Sequence, residues 1–487
     1  MKQDEPNEVL AALLAELGWS PRALARRINR IQGSGTVAET APYHWRDSGR
    51  VPRPPLPTLV AWVLSRELGR PVSVAELWQA KAAMSPLVLP ADAGLDQPWT
   101  RSGALSAADD WVLAGLVDRR VFLALPASAI LAALGAHYRT AGSASHPAAT
   151  ASPPGGHPLL DQIEQAIPLL QRLDDASGGG AHLPYVGAQF RAVALLLRQG
   201  HYDGTTERRI FTALAEIGQL AGWMAFDAGH HGLAQRYFLT ALRAAREAGD
   251  QPVTAHVLGD LAFQAASSGN TADAVAIGEA AAEAAVRTPA TVRSSVATRL
   301  AYGYAVSGRL GDFDRAYRSG LDMLADRKED REPKWMYFLT PGHLDAQAGY
   351  SLIHAGVLAG TAGDRRAARS LASRGCDLLS AGAYQVPPDH PSQRRALFEG
   401  AWLAVAAACM SDFEQACAIG RIAAERTRTV RSGRSADVLA VLAGMLHRHS
   451  RDDYVADFLP FLKSALAGQP AANASTVGSW RRAAPTT

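Results

Sequence analysis

Between residues 228 and 426 the chain repeats one arrangement of small side chains, and that arrangement limits what it can fold into. In AGHHGLAQRYFLTALRAAREAGD the key positions are Ala234, Phe238 and Ala241, and in SSGNTADAVAIGEAAAEAA they are Ala274, Gly278 and Ala281. VSGRLGDFDRAYRSGLDML carries Ala316 and Gly320, TAGDRRAARSLASRGCDLL carries Ala367 and Leu371, and CMSDFEQACAIGRIAAER carries Ala416, Gly420 and Ala423. Each time a Gly or other small residue follows one helical stretch. A polar turn intervenes, and a small residue then opens the close-packed face of the next helix. The pattern specifies helix pairs whose second members approach their neighbours closely. From residue 158 to about 468 helical periodicity dominates and no strand alternation competes with it. The fold class expected is all-α.

Length and composition bound the rest. A chain of 487 residues calls for two or three domains. Hydrophobic residues at 48% and charged residues at 20% fit a globular protein with large cores. The apolar runs are short and interrupted, so no membrane span is expected. The N-terminus MKQDEPNEVL lacks a basic segment followed by an apolar core, which argues against a secretory signal and for the cytoplasm. Cys376, Cys409 and Cys417 lack CxxC spacing and read as reduced thiols. A net charge of only +3 means that any nucleic-acid surface must be a local patch.

Such a patch lies near the start. Leu10, Leu13, Leu14 and Leu17 share one helical face, with Gly18 to end that helix. Ser20 before Pro21 is a start signal for a second helix, PRALARRINR, which buries Leu24 and Ile28 and turns Arg22, Arg26, Arg27 and Arg30 outward. After IQGSGTVAE, Thr40 is placed to cap a short helix containing Pro42, Tyr43, His44, Trp45 and Arg46, which Gly49 stops. Beyond VPRPP, Leu56, Leu59, Val60, Val63 and Leu64 share a face and Gly69 follows. Ser73 and Glu76 are spaced as a capping box. About five short helices in eighty residues result. Residues 20–56 hold seven Arg against Glu39 and Asp47, a local net of +5. Arg without Lys suits bidentate contacts to phosphates and guanine edges.

The segment TAPYHWRDSGRVPRPPLPTLVAWVLSRELGRPVSVAELW resembles the back half of a phage-repressor-type (XRE-like) helix-turn-helix domain. In that family a recognition helix ends in Trp, a charged residue and Gly, and then a Pro leads into a helix of the LVAWVLSREL kind. Two features depart from the family: Pro42 sits inside the recognition helix, and the connection before it is longer than a tight turn. The resemblance implies that Trp45 packs inward. It also implies a DNA-contacting set of Arg26, Arg27, Arg30, Thr40, Tyr43, His44, Arg46, Arg50 and Arg53. The repeats in turn resemble tetratricopeptide repeats, LAQRYFLTALRAAREAGD most closely, with spacings of about 40 to 50 residues against the usual ~34. Stacked helix pairs of that kind make a superhelix with a concave face for an extended partner. The combination is similar to two groups: actinobacterial regulators that repress development and antibiotic production, and peptide-sensing regulators of Gram-positive bacteria.

The expected organisation is then a helix-turn-helix domain over residues 1–82 and a stretch over 83–157 with short helices around Trp111 and Leu123. Within that stretch, residues 84–105 read as linker and AGSASHPAATASPPGGHP as flexible. A tetratricopeptide-like α-superhelix follows over 158–468, with a disordered tail over 469–487. The segment DREPKWMYFLTPGHLDAQAGYSLIHAG interrupts the repeat and brings Trp335, Tyr337, His343 and Tyr350 together. Either these aromatics fill an irregular gap, or with Tyr304 they line an effector groove. No Walker loop, GxGxxG, HExxH, GxSxG or Cys/His ligand spacing is present, so no enzyme, cofactor or metal is expected. His230 and His231 read as a surface turn.

The function expected is a DNA-binding transcriptional regulator acting on double-stranded DNA as a homodimer. Its helical body would dimerise, or sense a peptide or small-molecule effector or a protein partner in its groove. The alternative is an interaction scaffold that uses the repeats, with a head that does not bind DNA.

Overall fold

The computed structural model describes residues 5–32, 37–53, 56–68, 72–78, 97, 99–114, 158–200, 202–379 and 383–467. Every regular element among the described residues is helical, and the fold is all-α. No described helix is long and apolar enough to cross a membrane. The chain divides into two compact units, Met1–Ser145 and His146–Thr487.

The first unit begins with five helices: α1 (Glu8–Glu16), α2 (Pro21–Gln32), α3 (Ala41–Asp47), α4 (Leu56–Leu68) and α5 (Val74–Trp78). Their ends follow local chemistry. Gly18 closes α1 with φ +64° and Gly49 closes α3 with φ +58°, conformations that cost a side chain-bearing residue about 1 kcal/mol or more. Ser20 Oγ accepts from Ala23 N ahead of α2, and the Ser73–Glu76 pair forms its capping box at α5. Thr40 differs from expectation. It stands at the N-cap of α3 in a helical conformation, and its side chain makes no cap hydrogen bond.

Leu10, Leu14, Leu24, Ile28, Val60 and Leu64 form the fully buried centre of this unit. Trp45 packs edge-on against Trp78 with ring centres 6.5 Å apart. Within the connection between α2 and α3, Val37 is fastened by the Asn29 side chain. Asn29 donates to Val37 O and accepts from Val37 N, each at 2.8 Å. A sixth helix, α6 (Arg101–Ala114), packs on α4. Residues 101–105, read as linker from the sequence, are thus helical. Thr100 explains the start: its hydroxyl accepts from Gly103 N. Residues 115–157, with the segment around Leu123 and the expected flexible stretch, and residues 468–487 lie outside the described residues.

The second unit opens with α7 (Pro158–Ser177) and α8 (Gly179–Gln199). Six helical hairpins follow among the described residues. The first three are α9 (Gly204–Asp227) with α10 (His231–Ala248), α11 (Gln251–Ser267) with α12 (Thr271–Ala285), and α13 (Ala290–Val306) with α14 (Leu310–Ala325). After two short 3-10 turns, Glu329–Arg331 and Lys334–Met336, come α15 (Pro341–Thr361) with α16 (Arg365–Leu378), α17 (Gln393–Cys409) with α18 (Phe413–Arg426), and α19 (Gly433–His447) with α20 (Asp453–Ala467).

The first helix of each hairpin packs on the first helix of the next, from α9 through α19. Small residues on the second helices set their approach to neighbouring helices. A Cβ on Gly278 would lie 2.8 Å from Leu300 Cδ1, one on Gly320 2.9 Å from Thr298 Cγ2, and one on Gly420 2.9 Å from Leu442 and Phe458. In α16 the close face is Ala368, Ala372 and Gly375, one position on from the expected Ala367 and Leu371, which are half-buried. The array then returns on itself: α19 meets α9, and α7 packs on both α9 and α17.

Candidate functional site

Two places carry the residues singled out above, one in each unit. In the first, Pro42 and Trp45 turn inward from α3, leaving Tyr43 and His44 exposed on its other side with Arg50 and Arg53 exposed just beyond. The helix is held from behind, because Asn7 N donates to Arg46 O at 2.7 Å while Asn7 Nδ2 donates to Leu77 O at 2.8 Å.

The arginines are less available than their number implies. Arg22 and Arg26 both clasp Glu39, and those hydrogen bonds, Arg26 foremost, hold the Glu39 carboxyl below its usual range. Arg27 is half-buried and paired with Glu67 of α4, so it does not face outward as expected. Arg46 pairs with Asp47 at 2.6 Å, which lowers the Asp47 pKa and raises its own, and its guanidinium lies 5.4 Å from the centre of the Tyr43 ring. The Arg30 side chain lies outside the described residues. Arg50 and Arg53 have no acidic partner among the described residues.

In the second unit the hairpins surround a cavity of about 330 Å³. Side chains reach it from α7, from every first helix of the six hairpins, and from the irregular segment before α15. Trp335, Tyr337, His343 and Tyr350 all line it. Tyr304 does not; it donates to Glu279 at 3.1 Å beneath the Arg309 guanidinium. Two residues earlier on the same helix Tyr302 turns inward, fully buried, with its hydroxyl 2.7 Å from His354 Nδ1. A step of two on a helix reverses the face presented, which puts Tyr304 outside.

Four arginines, Arg299, Arg394, Arg395 and Arg434, reach the cavity, and each holds a carboxylate. Arg299 Nη2 sits 2.7 Å from fully buried Asp260, which also accepts from Gln219 at 2.7 Å. Arg394 lies 3.1 Å from Asp174 and 2.9 Å from Asp175. Arg395 pairs with Glu399, and Arg434 Nε lies 3.3 Å from Asp227. His256 Nε2 lies 3.8 Å from Asp260, but burial and the adjoining Arg299 charge keep the imidazole neutral, so Arg299 and Gln219 meet the charge on Asp260. Burial holds His343 neutral too, lowering its pKa to about 3.

The segment before α15 crosses this site fastened at three points. Glu332 accepts from Thr291 N at 2.9 Å at the start of α13, Trp335 lies against His256 with ring centres 4.8 Å apart, and the Tyr337 hydroxyl donates to Asp175 of α7. Two unused polar groups face the cavity. Gln347 Nε2 and Asp174 Oδ1 are buried without a hydrogen-bond partner, and burial raises the Asp174 carboxyl to about 7. Among the described residues no cluster of His, Cys, Asp and Glu is arranged to hold a metal. His231, expected at a surface turn, is wedged beside Phe226 and lies 3.3 Å from Ser268 Oγ, and burial lowers its pKa to about 4.

Residues 10–77 match the family model of the SP15 N-terminal domain. The matched SP15-like segment runs from the first turn of α1 to the end of α5, so it spans the five-helix unit that carries the α3 face. No curated protein matches the chain.

The sequence reading did not single out Trp223, Arg299, Gln347, Arg394, Phe398 and Arg434, all of which line the cavity. Each sits on an Ala-rich helix where it reads as an ordinary surface or core residue. Only the meeting of helices far apart along the chain, such as those of Asp174 and Arg394, shows otherwise.

Proposed function

We propose that the protein is a DNA-binding transcriptional regulator, acting as a homodimer, whose helical body senses a small effector in its central cavity. The observation that carries the DNA half is the division of α3. Trp45 and Pro42 anchor one side of the helix, while Tyr43 and His44 stand exposed on the other beside Arg50 and Arg53. A short helix fixed through a buried Trp, with polar and cationic groups outward, has the form needed to enter a major groove while flanking arginines meet phosphates. Arg22, Arg26 and Arg27 are committed to Glu39 and Glu67, so Arg50 and Arg53 carry the phosphate contacts in this reading. The stacked helical hairpins support the sensing half, because stacked repeats create concave binding surfaces.

The test is a gel-shift series of the full chain on genomic fragments at several salt concentrations. Binding should weaken linearly in log–log form. The double variant Arg50→Ala/Arg53→Ala should lower the slope by roughly 0.9 per lost phosphate contact. Absence of any shifted band at low salt would remove the DNA half.

A further inference from the structure

We propose that the central cavity binds an uncharged, ring-bearing small molecule carrying both a hydrogen-bond donor and an acceptor, of the aromatic carboxamide class. The inference deepens the effector-sensing half of the reading above and is independent of whether α3 contacts DNA.

Size and walls point to a ring. At about 330 Å³ the cavity falls in the range of small-ligand sites. Trp223, Trp335, Phe338 and Phe398 supply faces and edges for stacking around it. The volume is small for the extended peptide that the resemblance to peptide-sensing regulators implies.

The ion pairs disfavour a charged ligand, because every guanidinium at the cavity already holds a carboxylate and Arg394 holds two. Arg299, Arg394, Arg395 and Arg434 are matched by Asp260, Asp174 with Asp175, Glu399 and Asp227. An incoming anion would find no uncommitted guanidinium and would meet the carboxylates of Asp174, Asp175 and Glu399. A cation would meet four guanidiniums, with Asp174 Oδ1 the carboxylate oxygen left open to it. An anion would lose its hydration without gaining a partner or would break a buried pair, and a cation would gain only Asp174 Oδ1 while losing its hydration beside four guanidiniums.

The unpaired groups point to polar functions on the ring. Gln347 is 4% exposed, lines the cavity, and its Nε2 has no partner. Swapping the amide oxygen and nitrogen does not help, since no hydrogen bond is made by either end of the side chain among the described residues. Asp174, 3% exposed, leaves Oδ1 equally unpaired. A wholly apolar ligand would bury both groups for good, at a cost comparable to two lost hydrogen bonds. A carbonyl facing Gln347 and an N–H or O–H facing Asp174 satisfy them.

The experiment titrates the full-length protein calorimetrically with three probes sharing one ring system: 2-naphthamide, 2-naphthoate and 2-naphthylmethylammonium. For a probe of this size, 2-naphthamide should bind with Kd on the order of 0.1–1 mM, and both ions about tenfold more weakly or not at all. Gln347→Leu, which keeps the volume and removes the donor, should cut 2-naphthamide affinity about tenfold. Trp335→Ala, in an irregular and half-buried segment, should weaken all three probes while the circular dichroism spectrum stays unchanged. If Gln347→Leu does not fold, Trp335→Ala carries the test. The proposal is overturned if an ion binds tightest, if 2-naphthamide shows no heat at its solubility limit, or if the folded variants bind like the parent. A gel shift without probe is scored separately, so loss of this proposal and loss of DNA binding are told apart.

Discussion

Arg434 shows how a single residue is made tolerable in the interior. Its guanidinium lies 3.9 Å from the centre of the Phe398 ring, 5.2 Å from that of Trp223, and 5.6 Å from those of Phe226 and Phe263. Burial lowers its pKa and the Asp227 carboxylate opposes that effect. Three positions along on the same helix, Asp437 has no such company. Its Oδ1 is unpaired, and burial pushes the carboxyl up to about 7. The folded state therefore holds a proton that the unfolded chain has released above its ordinary pKa of roughly 4. By linkage, the stability from this group is full below that value and lost as pH rises through about 7. Asp437→Asn should melt like the parent near pH 4 and be more stable by on the order of 1–4 kcal/mol near pH 8. Calorimetric melts at both pH values decide it; an equal shift at both, or none, disproves the assignment. His343 and His354, each lowered to about 3 by burial, act with the opposite sign and lose stability as pH falls below about 6.5. Comparing variant with parent at each pH cancels that contribution. None of this was legible in the sequence, where Asp437 and Arg434 read as polar residues on an amphipathic helix.

At the scale of elements, α15 and α16 cross with their backbones in close approach. A Cβ on Gly375 would lie 2.6 Å from Ile353 Cγ1 and 2.7 Å from Gly349 O, and one on Gly349 would lie 2.8 Å from Gly375 O and Leu379 Cβ. Backbone meets backbone there, and no rotamer change can make room. Gly375→Ala should cost roughly 1–3 kcal/mol from overpacking, even though Ala is the better helix former. A denaturation midpoint equal to or above the parent's would show that the helices separate without cost. Much at this scale could be read beforehand. The five short helices of the head and the small faces at Gly278, Gly320 and Gly420 follow from spacing and caps, since these are local rules, whereas the buried Trp45 was implied by the family resemblance. The α16 face was displaced by one residue because Ala367 and Ala368 are adjacent and equally small, so sequence offers no preference. The turn before α18 shows a further limit: Ser411 adopts φ +68° where the other hairpin turns at Gly229, Gly269, Gly308 and Gly363 use glycine.

For the second unit as a whole, stability depends on how the array closes. Asp227, at the end of α9, accepts from Gly179 N at 3.1 Å and from Ser432 Oγ at 2.9 Å, and pairs with Arg434 of α19. Arg431 N donates to Ser177 O at 2.8 Å beside it. Asp227→Ala would strand a buried guanidinium and two donors, and should cost roughly 3–5 kcal/mol. It should also weaken 2-naphthamide binding, because Arg434 lines the cavity. Urea unfolding with no change in midpoint would show that the closure carries no weight. From the sequence alone come the helical class, the short helices of the head, the hairpin repeat and the gathering of Trp335, Tyr337, His343 and Tyr350, because each rests on neighbours a few residues apart. Only the tertiary structure decided which arginines of the head are already paired, that Tyr304 turns away, and that every arginine at the cavity holds a carboxylate. Those outcomes depend on pairs such as Arg27 with Glu67 and Arg434 with Asp227, which are distant along the chain and meet only when helices stack and the array returns to its start.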